Sequence, residues 1–377
     1  MRILHVIEGL NPDRGGPPQV AAALAAAEVR LGHTITAASH DATGAPARGL
    51  LTQHEPTGQI ATLDVPFGGF FGWRRVVAAL DRADRPEAVH LHGVWNPITL
   101  HGSRFARLRR LPYVITTHGS MHPVPFGDRS AKRHLALRLG YGRMFRDARR
   151  VFVLNDEEAE SLARHVPGSR PEVLPNGIDP QRIPTPDAAA FRSAHPELGD
   201  RPYLVFVGRL DRTKGVDHLV EAHQRVLASG HDVDLVVIGN DWGAEATVRR
   251  VVADLNVGHR VHLVGAVHGD AKYHALAGAR AFVHLPRYEG FGLAVIEALA
   301  VGTPAVMGDR CRLPGANEAM GILVSPSDPA SFAERAARIL ADAALRDRLG
   351  AAGKDAALSR YTWDAIARRV VAPLESR

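Results

Sequence analysis

The sequence predicts an α/β protein made of two Rossmann-like, doubly wound domains. Short β-branched or apolar runs alternate with longer helical patterns along the whole chain, which favours parallel sheets covered by helices. A tract at 167–186 holds six prolines and an Asn-Gly pair, and it divides the runs into two series, as an interdomain linker would. Ligands of such folds bind where the strands end, so we expect a site in a central cleft that the two domains face.

The predicted strands fall into two sets of five. In the first half they are 2–7, 34–39, 88–92, 113–117 and 151–154, and in the second half 203–207, 233–238, 261–264, 281–285 and 304–307. An alanine-rich helix is predicted over 16–31, and Gly32 is placed to end it.

Composition limits the possible classes of protein. A chain of 377 residues, 45% hydrophobic, can bury large cores, and it has no apolar run of the length that spans a membrane. A strand pattern begins at Arg2, which leaves no room for a signal peptide. Because Cys311 is the single cysteine, no internal disulfide can form, and we expect a cytoplasmic protein with an inert thiol.

The formal net charge of +6 lies entirely in the first half. Residues 1–178 hold 22 Lys+Arg against 16 Asp+Glu, whereas residues 179–377 hold 24 of each. The segment 129–146 mixes basic residues with Leu135, Leu139, Met144 and Phe145. Two interpretations stay open: an amphipathic helix packed on the sheet, or an interfacial helix that contacts anionic membrane. Nucleic-acid binding is disfavoured, because the basic stretches lack interleaved aromatic residues.

The segment 286–304 carries the strongest functional signal. A buried strand leads into a loop with Glu289, Gly290 and Gly292, and the following helix contains Glu297. Glycines let backbone N–H groups approach a ligand closely, and a helix N-terminus favours anionic groups. Carboxylates accept hydrogen bonds from sugar or ribose hydroxyls. Donors for phosphate beside acceptors for sugar predict a nucleotide-sugar site.

A second segment with functional residues follows the strand at 203–207. Arg209 and Lys214 are cations that could neutralise the charge growing on a leaving diphosphate. Lys214 stands out because only four of the 46 basic residues are lysine. Further along, Val267-His268 follows a predicted strand, and its backbone could contact the base of a nucleotide or could simply connect the strand to the next helix.

Two segments in the first half complete the set. Gly15 and Gly16 lie between a strand and a helix, where they suit either close approach to a diphosphate or acceptor, or a tight turn. His118 ends a predicted strand, so it could hydrogen-bond an acceptor hydroxyl or a transferring sugar; His122 is a weaker candidate. We expect no metal site, because the histidines lack carboxylates at a recognisable ligand spacing.

Taken together, these motifs resemble the family-4 retaining glycosyltransferases of the GT-B fold, including bacterial enzymes of surface-polysaccharide assembly. The resemblance covers nearly the whole chain, in family order. It comprises the Gly15-Gly16 loop, Thr117-His118-Gly119, Pro175-Asn-Gly-Ile-Asp179, Gly208-Arg-Leu with Lys214-Gly215, and the pair Glu289 and Glu297. Arg287 and Tyr288, before Glu289, depart from the family pattern, and so does the loop 308–315, which leaves the sugar open.

The resemblance implies a role for each matched residue. Arg209 and Lys214 would bind the donor diphosphate, and Glu297 the ribose hydroxyls. Glu289 would hold the donor sugar, together with the amides of the loop residues that follow it. These are Gly290, Phe291, Gly292 and Leu293. Gly15 and Gly16 would line the phosphate and acceptor side, and His118 would lie beside the anomeric centre.

The resemblance also implies the domain layout and the activity. The N-terminal, acceptor-binding domain would span 1–172 and the nucleotide-sugar domain 173–360, and the helix at 361–377 would cross back to the first domain. A hexosyl group would pass from the donor to a sugar or lipid-linked acceptor with retention, without metal or cofactor, at the inner face of the membrane. The alternatives are another GT-B enzyme, an epimerase or phosphorylase, or a non-catalytic nucleotide-sugar-binding protein.

Overall fold

The chain folds into two compact units, each built on a parallel sheet. The computed structural model describes residues 1–121, 130–267 and 269–375. One unit comprises Met1–Gly177 together with Trp363–Arg377, and the other comprises Ile178–Thr362. The predicted α/β architecture with two Rossmann-like domains is confirmed.

The first unit is built on a sheet of seven strands. They are β1 (Arg2–Ile7), β2 (Thr34–Ser39), β3 (Ile60–Asp64), β4 (Ala88–His92), β5 (Tyr113–Thr116), β6 (Arg150–Val153) and β7 (Pro171–Val173). All pairs are parallel, in the order β3-β2-β1-β4-β5-β6-β7. The helices between them are α1 (Gly16–Arg30), α2 (Ala45–His54), α3 (Trp73–Leu80), α4 (Pro97–Arg109), α5 (Ser130–Ala136), α6 (Gly142–Asp147) and α7 (Asp156–His165).

The second unit repeats this plan with six strands. They are β8 (Tyr203–Val207), β9 (Asp234–Ile238), β10 (Val261–Gly265), β11 (Ala281–His284), β12 (Ala305–Gly308) and β13 (Ile322–Ser325), in the order β10-β9-β8-β11-β12-β13. Its helices are α8 (Ala188–Ala194), α9 (Val216–Ala228), α10 (Glu245–Asp254), α11 (Asp270–Ala277), α12 (Leu293–Ala300), α13 (Pro329–Ala341) and α14 (Ala343–Arg360). The last helix, α15 (Trp363–Glu375), belongs to the first unit.

Helix α1 is largely buried. Its alanines from Ala21 to Ala27 are all buried, as a helix with small side chains allows. It also contacts α15, where Arg30 forms an ion pair with Asp364 at 2.6 Å. Helix α1 is therefore covered by both the sheet and the C-terminal helix α15.

Three strands, β3, β7 and β13, were not predicted, and all three lie at sheet edges. β3 is only partly buried, so it lacks the apolar run of a central strand. β7 is three residues long and begins with Pro171, which an edge strand tolerates. β7 lies inside the tract predicted as a linker, so the first sheet extends further along the chain than the prolines suggested.

The described part of the basic segment, residues 130–146, does not form one continuous helix. α5 ends at Ala136, a π-helical turn spans Leu137–Tyr141, and α6 follows after Gly140, whose φ is 133°. Phe145 in α6 is fully buried, whereas Leu139 in the turn is 55% exposed. Within the described residues, no helix is long and apolar enough to cross a bilayer.

Candidate active site

In the second unit the loops after β8 and β11 lie side by side. The strands are neighbours in a parallel sheet, so both loops emerge at its carboxyl edge. The backbone N–H groups of Arg287 and Tyr288 donate to the carbonyl of Thr213 at 2.8 and 3.2 Å. Gly215, at φ 63°, begins α9 so close to the carbonyl of Leu285 that a Cβ atom would collide with it. These hydrogen bonds and the close approach at Gly215 hold the two loops together.

Lys214 and Glu289 form an ion pair between these loops. The Lys214 Nζ donates to Glu289 Oε2, and His284 Nε2 lies 3.5 Å from the same oxygen. The two paired side chains are only 16% and 18% exposed. Burial alone would raise the pKa of Glu289, but the hydrogen bond from His284 and the charge of Lys214 outweigh it and hold that pKa well below its usual range. The carboxylate is therefore ionised at neutral pH.

A second lysine pairs with the other glutamate. Lys272, in α11, donates to Glu297 Oε1 at 2.7 Å, and the two side chains are 22% and 13% exposed. Both glutamates of the predicted pair thus have a lysine partner in the structure, although the protein has only four lysines. A carboxylate held this way keeps lone pairs for hydroxyl groups.

The glycine loop joins the two glutamates. Gly292, at φ 81°, caps α12, and a Cβ atom there would lie 2.7 Å from Cys311 Sγ. Phe291 is buried, Gly290 is half-buried and Leu293 is 39% exposed at the start of α12. Burial raises the pKa of the Cys311 thiol, in agreement with the expectation that it is inert.

Arg209 lies on the same edge but, among the residues that the structure describes, has no glutamate partner. Its guanidinium carbon is 4.7 Å from the ring centroid of Trp242, and its Nη2 is 3.7 Å from Asp211. With 56% of its side chain exposed, Arg209 is accessible to an anionic ligand. Val267 follows β10 and is half-buried, while His268 lies outside the described residues.

Arg287 has a structural partner. It forms a bidentate pair with Asp217 in α9 at 2.7 and 2.6 Å, and it donates to the carbonyl of Arg212 at 3.1 Å. These contacts tie the loop after β11 to the loop after β8. The geometry therefore gives Arg287 a structural role in joining these two loops.

In the first unit the predicted residues lie at the ends of β1 and β5. Gly15, at φ 96°, connects a short 3-10 turn to α1, and a Cβ atom added to Gly15 or Gly16 would have open space around it. His118 has φ 51°, a left-handed conformation that is strained for a residue with a side chain. His122 lies outside the described residues.

A cluster of buried histidines surrounds His118. His5, His90 and His92 lie on β1 and β4, and their ring nitrogens are close enough to hold a metal ion. Both nitrogens of His5 and both of His92 already form hydrogen bonds, to Glu28, to each other and to His118. A metal ion would have to replace these bonds, so we do not assign a metal site there.

The sequence Asp232-Val-Asp234 is another conceivable metal-binding pattern. It lies at the start of β9, away from the carboxyl ends of the strands. Asp234 accepts hydrogen bonds from Arg201, Arg260 and His262, at 3.1, 2.7 and 3.0 Å. The two arginines already compensate the carboxylate, which leaves no reason to assign a metal there.

The structure brings together Lys214, Glu289 and the glycine loop in one unit. The predicted meeting of these residues with Gly15, Gly16 and His118 in a cleft stays a prediction. Sequence reasoning missed three contributors, Lys272, His284 and Trp242. The rarity of lysine, which singled out Lys214, could also have identified Lys272.

Two family models match the chain. The one described as Glycosyltransferase Family 4 matches residues 14–182, and the one described as Glycosyl transferases group 1 matches residues 187–356. Among characterised relatives, the GDP-mannose-dependent α-(1-6)-phosphatidylinositol monomannoside mannosyltransferase of Mycolicibacterium smegmatis is 30% identical over 301 residues, 76% of this chain and 75% of that one.

Other similarities extend over nearly the full length. The GDP-mannose:cellobiosyl-diphosphopolyprenol α-mannosyltransferase of Xanthomonas oryzae is 22% identical over 390 residues, 98% of this chain and 96% of that one. The structure of Anabaena HepE with UDP matches with a TM-score of 0.80 at 17% identity, over all of both chains. The chain therefore belongs to glycosyltransferase family 4, has the GT-B fold and is a glycosyltransferase.

Proposed function

We propose that this protein transfers a sugar from a nucleotide-diphosphate donor to an acceptor hydroxyl, with retention of configuration and without metal or cofactor. The observation that carries the proposal is the pairing of both glutamates with lysines, Lys214 with Glu289 and Lys272 with Glu297, around one glycine loop. These groups supply both cations for a diphosphate and carboxylates for hydroxyls.

In the donor complex Lys214 and Arg209 bind the diphosphate. Arg209 is exposed beside Trp242, and Lys214 is held at the loop by Glu289. The two cations then supply the charge that a divalent metal would otherwise bring to the leaving group. Glu289 accepts from sugar hydroxyls and Glu297 from ribose hydroxyls. The loop amides of 290–293 complete the donor site.

The transfer step is a front-side displacement. The bond from the anomeric carbon to the diphosphate oxygen breaks, and the bond to the acceptor oxygen forms on the same face of the sugar. The acceptor's proton passes to the departing phosphate oxygen. His118, Gly15 and Gly16 of the first unit serve the acceptor side of this reaction.

Product analysis tests this proposal. The protein is incubated with GDP-mannose and, separately, UDP-glucose, nucleotide sugars that occur in the names of related proteins, with a sugar-lipid acceptor and EDTA. We expect a new glycoside with the donor's anomeric configuration, formed at the same rate in EDTA. Inverted product, dependence on added Mg²⁺, an epimerised donor or consumption of inorganic phosphate would each contradict the proposal.

For the acceptor, a groove in the first unit supports an amphiphile with an anionic head. The groove encloses about 1000 Å³ and combines apolar with basic side chains. Phe71 is 97% exposed and Leu139 55% exposed, which is unusual for side chains of this kind. The lining residues are Phe70, Phe71, Trp73, Arg104, Arg107, Leu108, Leu139 and Arg143.

The charge of this groove is positive. Arg107 and Arg143 share a single carboxylate, Asp147, at 3.5 and 3.1 Å, and Arg104 has His101 as its neighbour. Apolar side chains among arginines that outnumber their carboxylate partner suit a lipid phosphate and the surface of the membrane that holds it. We therefore propose a lipid-linked acceptor and peripheral contact with the inner face of the membrane, in a cytoplasmic protein.

Vesicle co-sedimentation tests the membrane contact. Binding should be strong to vesicles with anionic lipid at low salt, weaker at high salt and absent with neutral lipid. Phe71→Ser and Leu139→Ser should reduce it, whereas Leu358→Ser, a matched change at an exposed leucine of α14, should not. Equal sedimentation of all three variants, or no binding at low salt, would contradict the contact.

A further inference from the structure

The first unit contains a chain of buried side chains that ends at His118. Glu28 Oε2 lies 2.6 Å from His5 Nε2, His5 Nδ1 lies 2.9 Å from His92 Nε2, and His92 Nδ1 lies 3.2 Å from His118 Nε2. Glu28, His5 and His92 are at most 2% exposed. Three hydrogen bonds thus connect a buried carboxylate to a residue at the end of β5.

The fold brings these residues together from separate segments. In the sheet, His5 pairs with His90, Ile7 with His92, and His92 with Thr116, so the histidines of β1 and β4 lie in adjacent strands. Glu28 reaches them from α1. The rings of His92 and His118 are nearly parallel, with centroids 5.4 Å apart.

We propose that Glu28, acting through His5 and His92, fixes the tautomer of His118 so that its Nδ1 is a hydrogen-bond acceptor. This inference rests on the proposed function, because the partner of Nδ1 is a hydroxyl of the bound sugar or acceptor. Glu28, His5 and His92 are positioning residues.

The direction of the hydrogen bonds follows from the carboxylate. An ionised carboxylate only accepts, so in the neutral form of His5 the hydrogen is at Nε2 and Nδ1 has a lone pair. His92 therefore donates from Nε2 and accepts at Nδ1, and His118 donates from Nε2. Burial, together with neighbouring His90, lowers the pKa of His118 to about 3, so the ring is neutral and its Nδ1 carries a lone pair.

The second ring nitrogen of His118, Nδ1, is available to a ligand. Within the described residues, Nδ1 of His118 forms no hydrogen bond. An additional proton at Nδ1 of His5 would leave the bond to Glu28 unchanged but would reverse the other two, placing a hydrogen on Nδ1 of His118, which would then donate. The two arrangements are chemically distinct and can be told apart experimentally.

The first test is the tautomer in the ligand-free protein. Correlation of ring ¹⁵N nuclei with ring protons in ¹⁵N-histidine-labelled protein at pH 8 identifies the protonated nitrogen, and His118→Gln assigns the signal. We expect hydrogen on Nε2 and none on Nδ1. Hydrogen on Nδ1 in the wild-type protein would overturn the inference. This result does not depend on substrate, so it is separate from the fate of the proposed function.

The second test uses variants. Glu28→Met should give a mixture of His118 tautomers and lower kcat about 10- to 100-fold, with donor KM little changed. For comparison, a serine protease whose catalytic histidine is in the wrong tautomer loses about 10⁴-fold in kcat. Glu28→Gln should restore part of kcat, since its carbonyl can accept from His5. The control is His90→Gln, which alters a buried histidine that is bonded to Thr116, stacks on His92 and has its Nδ1 3.9 Å from Glu28 Oε1, but forms none of the three bonds of the chain. If His90→Gln and Glu28→Met change the His118 tautomer and kcat alike, the chain has no special role.

Discussion

Replacing Lys214 with methionine separates the two contributions of its ion pair with Glu289. Breaking a fully buried pair costs about 3–5 kcal/mol, and an exposed pair contributes about 0.2–1 kcal/mol. Because the side chains are 16% and 18% exposed and His284 stays 3.5 Å from the carboxylate, we expect a loss of about 1–3 kcal/mol in the free energy of unfolding of the second unit.

The catalytic loss should be larger. Removing one preorganised group that stabilises charge in the transition state costs about 2.7–4 kcal/mol, or about 100- to 1000-fold in kcat. The double variant Lys214→Met with Glu289→Gln leaves no buried orphan charge, so it should regain much of the stability without regaining activity. Stability and catalytic activity should therefore respond differently to the second substitution.

The assays are urea unfolding and initial transfer rates at saturating donor. Lys354→Met is the matched control, because Lys354 is exposed on α14 in the same unit. The control should keep wild-type stability and kcat. A folded Lys214→Met protein with kcat within about threefold of wild type would refute the catalytic role, since less than 1 kcal/mol would then depend on the cation.

Three further predictions concern the rest of the donor site and the buried histidines. Lys272→Met should weaken nucleoside diphosphate binding about tenfold by calorimetry, because Glu297 loses the partner that holds it; unchanged affinity would contradict this. Trp242→Ala should raise donor KM about 2- to 5-fold, the factor expected for an exposed cation–π contact with Arg209, and unaltered KM would show that the contact does not position the arginine. Burial lowers the pKa of His90 to about 4, so its contribution to stability is complete above pH 6.5 and is lost as pH falls towards 4. At pH 5.5 the lost stability amounts to about 1 kcal/mol, which corresponds to a fall in Tm of about 2–4 °C. The His90→Gln variant should show a smaller fall, and a wild-type Tm that stays constant from pH 7.5 to 5.5 would contradict this prediction.

The central strands could be predicted because they are buried on both faces and form continuous apolar runs. β8 and β1 have the predicted bounds, Tyr203–Val207 and Arg2–Ile7. The strands that were missed, β3, β7 and β13 (Ile322–Ser325), all lie at sheet edges. β3 and β7 are only partly buried, so their sequences lack a continuous apolar run, whereas β13 was missed although it is largely buried. Strand prediction therefore succeeds best for the central strands.

Part of the site could be predicted for a similar reason. Lys214 and Glu289 follow strands directly, where parallel sheets place ligands. Lys272 comes after a loop, within α11, so its contact with Glu297 depends on how that helix packs. The chain from Glu28 to His118 was beyond sequence reasoning, since strand register and the position of α1 decide which residues meet.

The assignment to family 4 and the GT-B fold, predicted from motifs in family order, is confirmed by the family models and the structural neighbours. The donor, the acceptor, retention and independence from metal are proposals. They depend on one claim about the second unit, that its glutamates and lysines form the donor site.

Nucleotide binding with altered ribose tests that claim most directly. Calorimetry compares the nucleoside diphosphate that binds best with its 2′-deoxy and 3′-deoxy forms, in the wild-type protein and in Glu297→Gln. A hydrogen bond to a charged group is worth about 1.5–3 kcal/mol, so we predict that at least one deoxy form binds wild type about 10- to 100-fold more weakly. In Glu297→Gln the same comparison should give a much smaller difference. Equal loss of affinity in both proteins would contradict the placement of the ribose at Glu297, and with it the proposed donor site.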